Sequence, residues 1–153
     1  MAEFDEWDPL AHPGHYLSRI NRALTRIGDA RLKAVGLATA QLPVLAMLKD
    51  GGRLSQIELA RLAKVEQPSM AQLLVRMERD GLVRRIPDPT DRRSSLVSLT
   101  EEAERRLPAG RAVLQQGNAE MTRGMSRAEV DQLVGLLRRV LGNVEAMGED
   151  PDA

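Results

Sequence analysis

The sequence predicts a mainly α-helical fold carrying one small β-wing, and three observations predict it. Two short helical patterns, Leu54 to Lys64 and Gln67 to Arg79, follow each other closely. A stop at Gly81 then introduces two β-type runs joined by a turn rich in Pro and Asp whose centre is Asp91-Arg92-Arg93. Long apolar stripes at three-four spacing lie on either side of this middle section. The order is a helix-turn-helix followed by a β-wing, flanked by N- and C-terminal helices suited to dimerisation. The expected divisions are 1–36 for a tail and dimerisation helix, 37–100 for the winged unit, and 101–153 for the C-terminal dimerisation helices.

The 153 residues are enough for one sizeable core. No stretch has the apolar length that spans a bilayer, and the opening MAEFDEWDPLAHPGH is acidic and polar rather than a signal peptide, so a cytoplasmic protein without membrane contact is expected. The absence of cysteine excludes disulfides, thiolate metal sites and a cysteine redox switch. Formal net charge is +0, which argues against a nucleic-acid partner until the distribution is examined. Residues 1–18 hold four acids and no Lys or Arg, whereas 19–52 hold six bases against two acids and 53–99 nine against six. Residues 100–153 reverse this, with seven bases against ten acids. The basic excess is confined to the middle, where DNA would be met, and a symmetric dimer would double that local field.

Residues 1–14 contain Pro9, Pro13 and Gly14 and no helical period, so a tail is expected there, packed in part through Phe4, Trp7 and Leu10. From His15 onward Leu17, Ile20, Leu24 and Ile27 recur at helical spacing while Arg19, Arg22 and Arg26 share another face, which predicts a long amphipathic helix ending near Val35-Gly36. A second helix should start after Thr39 as N-cap and stop at Asp50 before Gly51-Gly52, with Pro43 tolerated in its first turn. Ser55-Gln-Ile-Glu58 is a capping box, and the helix it opens should face Ile57, Leu59, Leu62 and Val65 to a core.

Pro68 pre-sets the first turn of the following helix. At 100° per residue, Met70, Leu73, Leu74 and Met77 fall within an arc of about 100°, and Ser69, Gln72, Arg76 and Arg79 within a neighbouring arc of about 80°. For an arbitrary helix the polar arc is a solvated face. Here a capped helix before it and a wing after it place this helix where a major groove would be read. Leu82–Ile86 and Ser95–Leu99 are the expected strands, and Pro87-Asp-Pro-Thr-Asp-Arg-Arg93 is turn chemistry that carries two arginines to the hairpin tip. An arginine there can enter a minor groove, and Asp91 is placed to orient the Arg93 guanidinium by a charge-assisted contact. Ser55, at a helix N-terminus, would present its backbone amide to a phosphate.

Thr100 caps a further helix with Glu101, Glu102 and Glu104 in its first turn. Pro108-Ala-Gly110 should kink or interrupt it, and it should continue to about Gly124. Ser126-Arg-Ala-Glu129 is a second capping box, opening a helix whose Val130, Leu133, Leu137, Val140 or Leu141, and Val144 form a stripe, before an acidic tail from Gly148 to Ala153.

The runs Leu54-Ser-Gln-Ile-Glu-Leu-Ala-Arg-Leu-Ala63, Gln67-Pro-Ser-Met-Ala-Gln-Leu-Leu-Val-Arg-Met-Glu-Arg-Asp-Gly-Leu-Val83, Pro87-Asp-Pro-Thr-Asp-Arg-Arg-Ser94 and Val97-Ser-Leu-Thr-Glu101, in this order and spacing, resemble the MarR family of bacterial transcription regulators. The resemblance is close over residues 37–102. It implies a homodimer of winged helix-turn-helix protomers with the first and last helices at its apex, acting as a ligand-responsive regulator of double-stranded DNA, most often a repressor. Carried over by position, base or groove contacts fall to Gln67, Ser69, Met70, Gln72 and Arg76, the minor-groove role to Arg93, its orientation to Asp91, and a backbone or auxiliary contact to Arg92. Pro68 and Gln72 depart from the hydroxyl and basic residues common at those places, so no operator sequence carries over, and Ala103 stands where the family often has Gly.

Many relatives answer to aromatic acids or phenolic compounds, and the resemblance implies an effector site where the first helices meet the winged lobe. His15, Tyr16, Arg19 and Met47 are the candidates; as a plain alternative, Arg19 belongs to a solvated face and Tyr16 packs in the dimer core. His12 and His15 alone are a weak metal signal, and no metal or cofactor is expected. An enzyme lacks its usual members here, with no Gly-rich phosphate loop, no Cys and no His in a periodic core segment. A winged-helix module that binds protein instead of DNA is countered by Arg76, Arg92 and Arg93.

Overall fold

Helix ends carry the architecture of this chain, because two glycine-terminated stops, at Gly36 and Gly81, turn it before and after the helix-turn-helix. The computed structural model describes residues 8–149; Phe4 and Trp7 lie outside them. The chain divides into two units, Met1–Leu114 and Gln115–Ala153.

In the first unit a 3-10 turn, Pro9–Ala11, is capped by Asp8, whose carboxylate accepts the Leu10 amide at 2.9 Å. Helix α1 spans Pro13–Lys33, two residues earlier than expected, because a proline with φ near the helical value suits the first helical position. It ends in a Schellman arrangement: Leu37 N–H reaches Leu32 O at 3.0 Å and Gly36 N–H reaches Lys33 O at 3.1 Å, with Gly36 at φ +72°. A second 3-10 turn, Thr39–Gln41, leads into α2, Leu42–Leu48. Thr39 is therefore not the N-cap expected of it. The Gln41 side chain accepts the Ala38 amide at 2.9 Å instead, and the Thr39 amide donates to Asp29 of α1 at 2.7 Å. Gly28 makes that approach possible, since a Cβ there would stand 2.9 Å from the Thr39 hydroxyl. Helix α2 stops at Leu48, not Asp50, as the backbone turns left-handed at Asp50 and Gly51.

Helix α3, Gln56–Ala63, starts at the predicted box. Its buried face is Leu59 and Ala60, with Ala63 partly covered, whereas Ile57, Leu62 and Val65 are exposed. The expectation that all three face the core is corrected by geometry: in an eight-residue helix Ile57 and Leu62 each lie about 110° from the centre of the buried face, and Val65 falls beyond the helix end. Helix α4, Gln67–Arg79, buries Met70, Leu74 and Met77 and ends in a second Schellman turn, with Leu82 N–H to Met77 O at 2.8 Å and Gly81 at φ +73°.

The turn delivers the chain into strand β1, Val83–Pro87, antiparallel to β2, Ser95–Leu99, in the register Val83↔Leu99 to Pro87↔Ser95. Leu54 adds a single antiparallel bridge to Val97, which ties the approach to α3 onto the wing. Thr100 then joins two elements: its hydroxyl donates to Gly81 O at 2.6 Å and accepts the Ala103 amide of helix α5, Glu101–Met121, at 3.2 Å. Helix α5, for which a kink or an interruption at Pro108-Ala-Gly110 was expected, runs through Pro108 without interruption, and it ends at Met121 rather than near Gly124. Gly110 is buried there, and a Cβ at its position would stand 2.7 Å from Leu37 Cδ1. The residue suspected of breaking the helix instead admits a neighbour. Leu32 of α1, Leu45 and Leu48 of α2, Leu59, Leu74, Leu82, Val97 and Ala103 share one core.

The second unit contains the end of α5 and helix α6, Arg127–Glu149. Ser126 and Glu129 form the predicted box, Ser126 N–H to Glu129 at 2.7 Å and Glu129 N–H to Ser126 Oγ at 3.3 Å. The helix carries on past Gly148, where a tail had been expected; residues 150–153 lie outside the described part.

Candidate nucleic-acid interface

The outward arc of α4 is built by what lies beneath it. Met70, Leu74 and Met77 are each no more than 1% exposed, so the helix cannot roll without opening the core, and Gln67, Ser69, Gln72 and Arg76 are held facing outward. Met70 must be removed from the groove-contact set: at 1% exposure its thioether supports the helix from below and cannot reach a base. Arg79, at the end of the same arc, pairs with Asp80 at 3.1 Å.

The wing tip is ordered by two short carboxylate turns. Asp88 accepts the Thr90 amide at 2.8 Å and its hydroxyl at 2.7 Å, which holds the Asp88 carboxyl below the usual range. Asp91 accepts the Arg93 backbone amide at 2.9 Å, and Ser94 N–H closes on Asp91 O at 3.1 Å. This corrects the expected role of Asp91: it orders the tip backbone and does not hold the Arg93 guanidinium, because a side chain two residues back reaches the amide first. Arg92 and Arg93 are exposed, and neither guanidinium has a hydrogen-bond or ion-pair partner among the described residues.

Ser55 is corrected as well. Its amide donates to Glu58 Oε2 at 2.8 Å and its hydroxyl to the same oxygen at 2.8 Å, while Glu58 N–H donates to Ser55 Oγ at 3.3 Å. The amide offered to a phosphate is thus consumed by the capping box, and the same bonds push the Glu58 carboxyl down.

None of the four effector candidates lines the cavity that the described residues form between α2 and α5. His15 and Tyr16 meet edge to face with centroids 5.6 Å apart, Arg19 is exposed on α1, and Met47 packs inward on the core. The cavity has a volume of about 540 Å³ and is lined by Leu42, Ala46 and Lys49 on one side and Leu107, Gly110 and Arg111 on the other. Sequence reasoning missed it although a signal existed: Leu107, Gly110, Arg111 and Leu114 fall at i, i+3, i+4 and i+7, one helix face, which attention to Pro108 as a breaker obscured. No helix among the described residues is long and apolar enough to cross a membrane.

The model of the MarR family matches residues 35–94. A mutant of MarR from E. coli, complexed with operator DNA, is 27% identical, with 92% of this chain and 99% of that chain covered and a TM-score of 0.78. A probable transcriptional regulator from Pseudomonas aeruginosa is 28% identical over 84% of this chain and 96% of that one, TM-score 0.76. The PcaV transcriptional regulator from Streptomyces coelicolor, in complex with its natural ligand, shares the fold at a TM-score of 0.80 with 24% identity, covering 91% of this chain and 98% of its own. The paired helices, the glycine turn at Gly81 and the wing that follows are similar to those of the MarR family, whose model matches this stretch of the chain; regulators of that family are DNA-binding winged-helix proteins.

Proposed function

We propose that the chain is a homodimeric, cytoplasmic repressor of bacterial genes that grips a pseudo-palindromic operator in two grooves and is released by a small organic acid. The observation that carries the DNA reading is the pairing, on one compact unit, of the outward row Gln67, Ser69, Gln72 and Arg76 with two wing-tip arginines that have no partner among the described residues. The row reads base edges in the major groove, Arg93 enters the adjoining minor groove, and Arg92 meets the backbone. Asp91 serves Arg93 by fixing its backbone. The relative from E. coli complexed with operator DNA supports this reading.

Dimerisation rests on two helix faces. Tyr16, Ile20, Leu24 and Ile27 of α1 are 39–47% exposed, and Val134, Leu137, Leu141 and Val144 of α6 are 40–57% exposed. Apolar stripes of that kind mark association surfaces, and a second copy covers both. Two recognition helices then address successive major grooves about 34 Å apart.

The effector occupies the cavity between α2 and α5, whose volume of about 540 Å³ lies within the roughly 300–1,000 Å³ of small-molecule sites. Its lining is mostly apolar, with Lys49 and Arg111 as the cations, which suits a flat apolar body bearing one carboxylate. Binding there changes DNA affinity only by its differential affinity for the two states.

A shift assay on the DNA upstream of the protein's own gene tests the reading. Affinity should fall steeply with salt, and hydroxybenzoates should raise the thermal midpoint and lower DNA affinity together. Absence of binding at every salt concentration would favour a winged-helix module for a protein partner.

A further inference from the structure

One guanidinium joins the three elements of the DNA-facing surface. Arg85, at the middle of β1, has its Nε 3.7 Å from Glu78 Oε2 in the last turn of α4. Its Nη2 donates to the Oε1 of Gln56, the first residue of α3, at 3.4 Å. The side chain is 32% exposed and points away from Arg84, whose Nε donates to Ser98 Oγ across the strand pair at 3.3 Å. Arg85 also lies opposite Val97, the residue that bridges to Leu54. The start of α3, the end of α4 and the middle of the wing's first strand therefore converge on it.

We propose that Arg85 is a positioning residue for operator binding: with Glu78 and Gln56 it fixes the angle between the recognition helix and the wing without touching DNA. The proposal rests on the reading of the α4 row and the wing tip as the two DNA contacts. Partly exposed ion pairs contribute little to stability, so that is not the effect of this cluster. Leverage is. Five residues at about 3.3 Å each make β1 about 16 Å long, and a rotation of about 10° at its root carries the tip about 3 Å. A displacement of that size takes Arg93 out of a groove while α4 still occupies the next one. The planar fork of arginine meets two partners in different directions, which an ammonium group does less well.

The chain has no cysteine, so spin labels can be placed at will. Val75→Cys on the exposed side of α4 and Pro89→Cys on the wing, diluted with unlabelled protein, report the distance between helix and wing in the absence of DNA. A single narrow distribution is expected with Arg85, a broadened one in Arg85→Ala, and recovery of the narrow one in the swap Glu78→Arg with Arg85→Glu. An unchanged distribution in Arg85→Ala, or no recovery in the swap, overturns the proposal. Should Arg85→Ala fail to fold, Glu78→Gln and Arg85→Lys give the same comparison.

Duplex binding supplies the second readout. Arg85→Ala should bind the upstream duplex about tenfold more weakly with an unchanged slope of log affinity against log salt, and the swap should recover most of the loss. A slope smaller by about 1 makes Arg85 a phosphate contact and overturns the proposal. A wild-type chain that binds no duplex refutes the DNA reading instead, and the distance measurement still decides whether Arg85 sets the angle.

Discussion

The winged unit and the long helices at either end of the chain satisfy their apolar residues in opposite ways. In the winged unit Leu59, Leu74, Met77, Leu82 and Val97 are each 1% exposed or less, supplied by α3, α4, the turn after it and β2. In α6 no described residue is buried, and Leu137, Leu141 and Val144 stay 40–57% exposed; α1 buries Leu32 alone. One region completes its core from its own chain. The other keeps, among the described residues, a stripe with the periodicity of a core and high exposure, which supports the proposal of a second copy.

Four substitutions would break or sharpen this contrast, from the largest effect downward. Leu74→Ala should destabilise the fold by about 2–5 kcal/mol, since a fully enclosed side chain leaves a cavity the neighbours fill only in part; chemical denaturation measures it, and a loss under 1 kcal/mol would mean the core is looser than its burial implies. Arg93→Ala should weaken operator binding by about 1–3 kcal/mol while leaving the melting temperature in place, because no described residue holds that guanidinium. Wild-type affinity in this variant would remove the wing from the mechanism.

Ser55→Ala should cost about 0.5–2 kcal/mol through the lost cap. The same box makes stability depend on pH. Bonds from Ser55 lower the folded-state value of Glu58 below its ordinary 4.5, and the Thr39 amide lowers Asp29 below 3.8. Groups depressed in the folded state stabilise it above the unfolded values and lose that contribution as pH falls through the folded ones. Thermal midpoints should therefore decline on acidification below about pH 4.5, and Ser55→Ala should flatten the decline. Leu141→Asp should change the fold stability of a single chain by no more than about 0.5 kcal/mol, as an exposed residue does. Its expected effect is on association: sedimentation should show monomer, and an unaltered dimer would take α6 out of the interface.

Features closed within a few residues were legible before any coordinates. The boxes at Ser55/Glu58 and Ser126/Glu129, the stop at Gly81 and the turn between the strands each depend on contacts no more than about five residues apart, and all are present. Legibility ended where one residue type has two local uses. Asp91 could serve a guanidinium or an amide, and the nearer amide took it. Ser55 could offer its amide outward or to Glu58, and the helix start took it. Pro108 and Gly110 could break α5 or let it pass a neighbour closely, and Leu37, far away in sequence, decided for the second.

By itself the sequence determined the order of helices, wing and flanking stripes, the charge excess of the middle section, and the polar row on α4, because periodicity and capping are properties of a chain and its nearest turns. Which side of α3 is buried, the buried place of Met70 under the row it was assigned to, the cavity between α2 and α5, and the meeting of Gln56, Glu78 and Arg85 were decided only by tertiary structure. Each depends on residues brought together from distant parts of the chain, and their spacing in sequence carries no record of that approach.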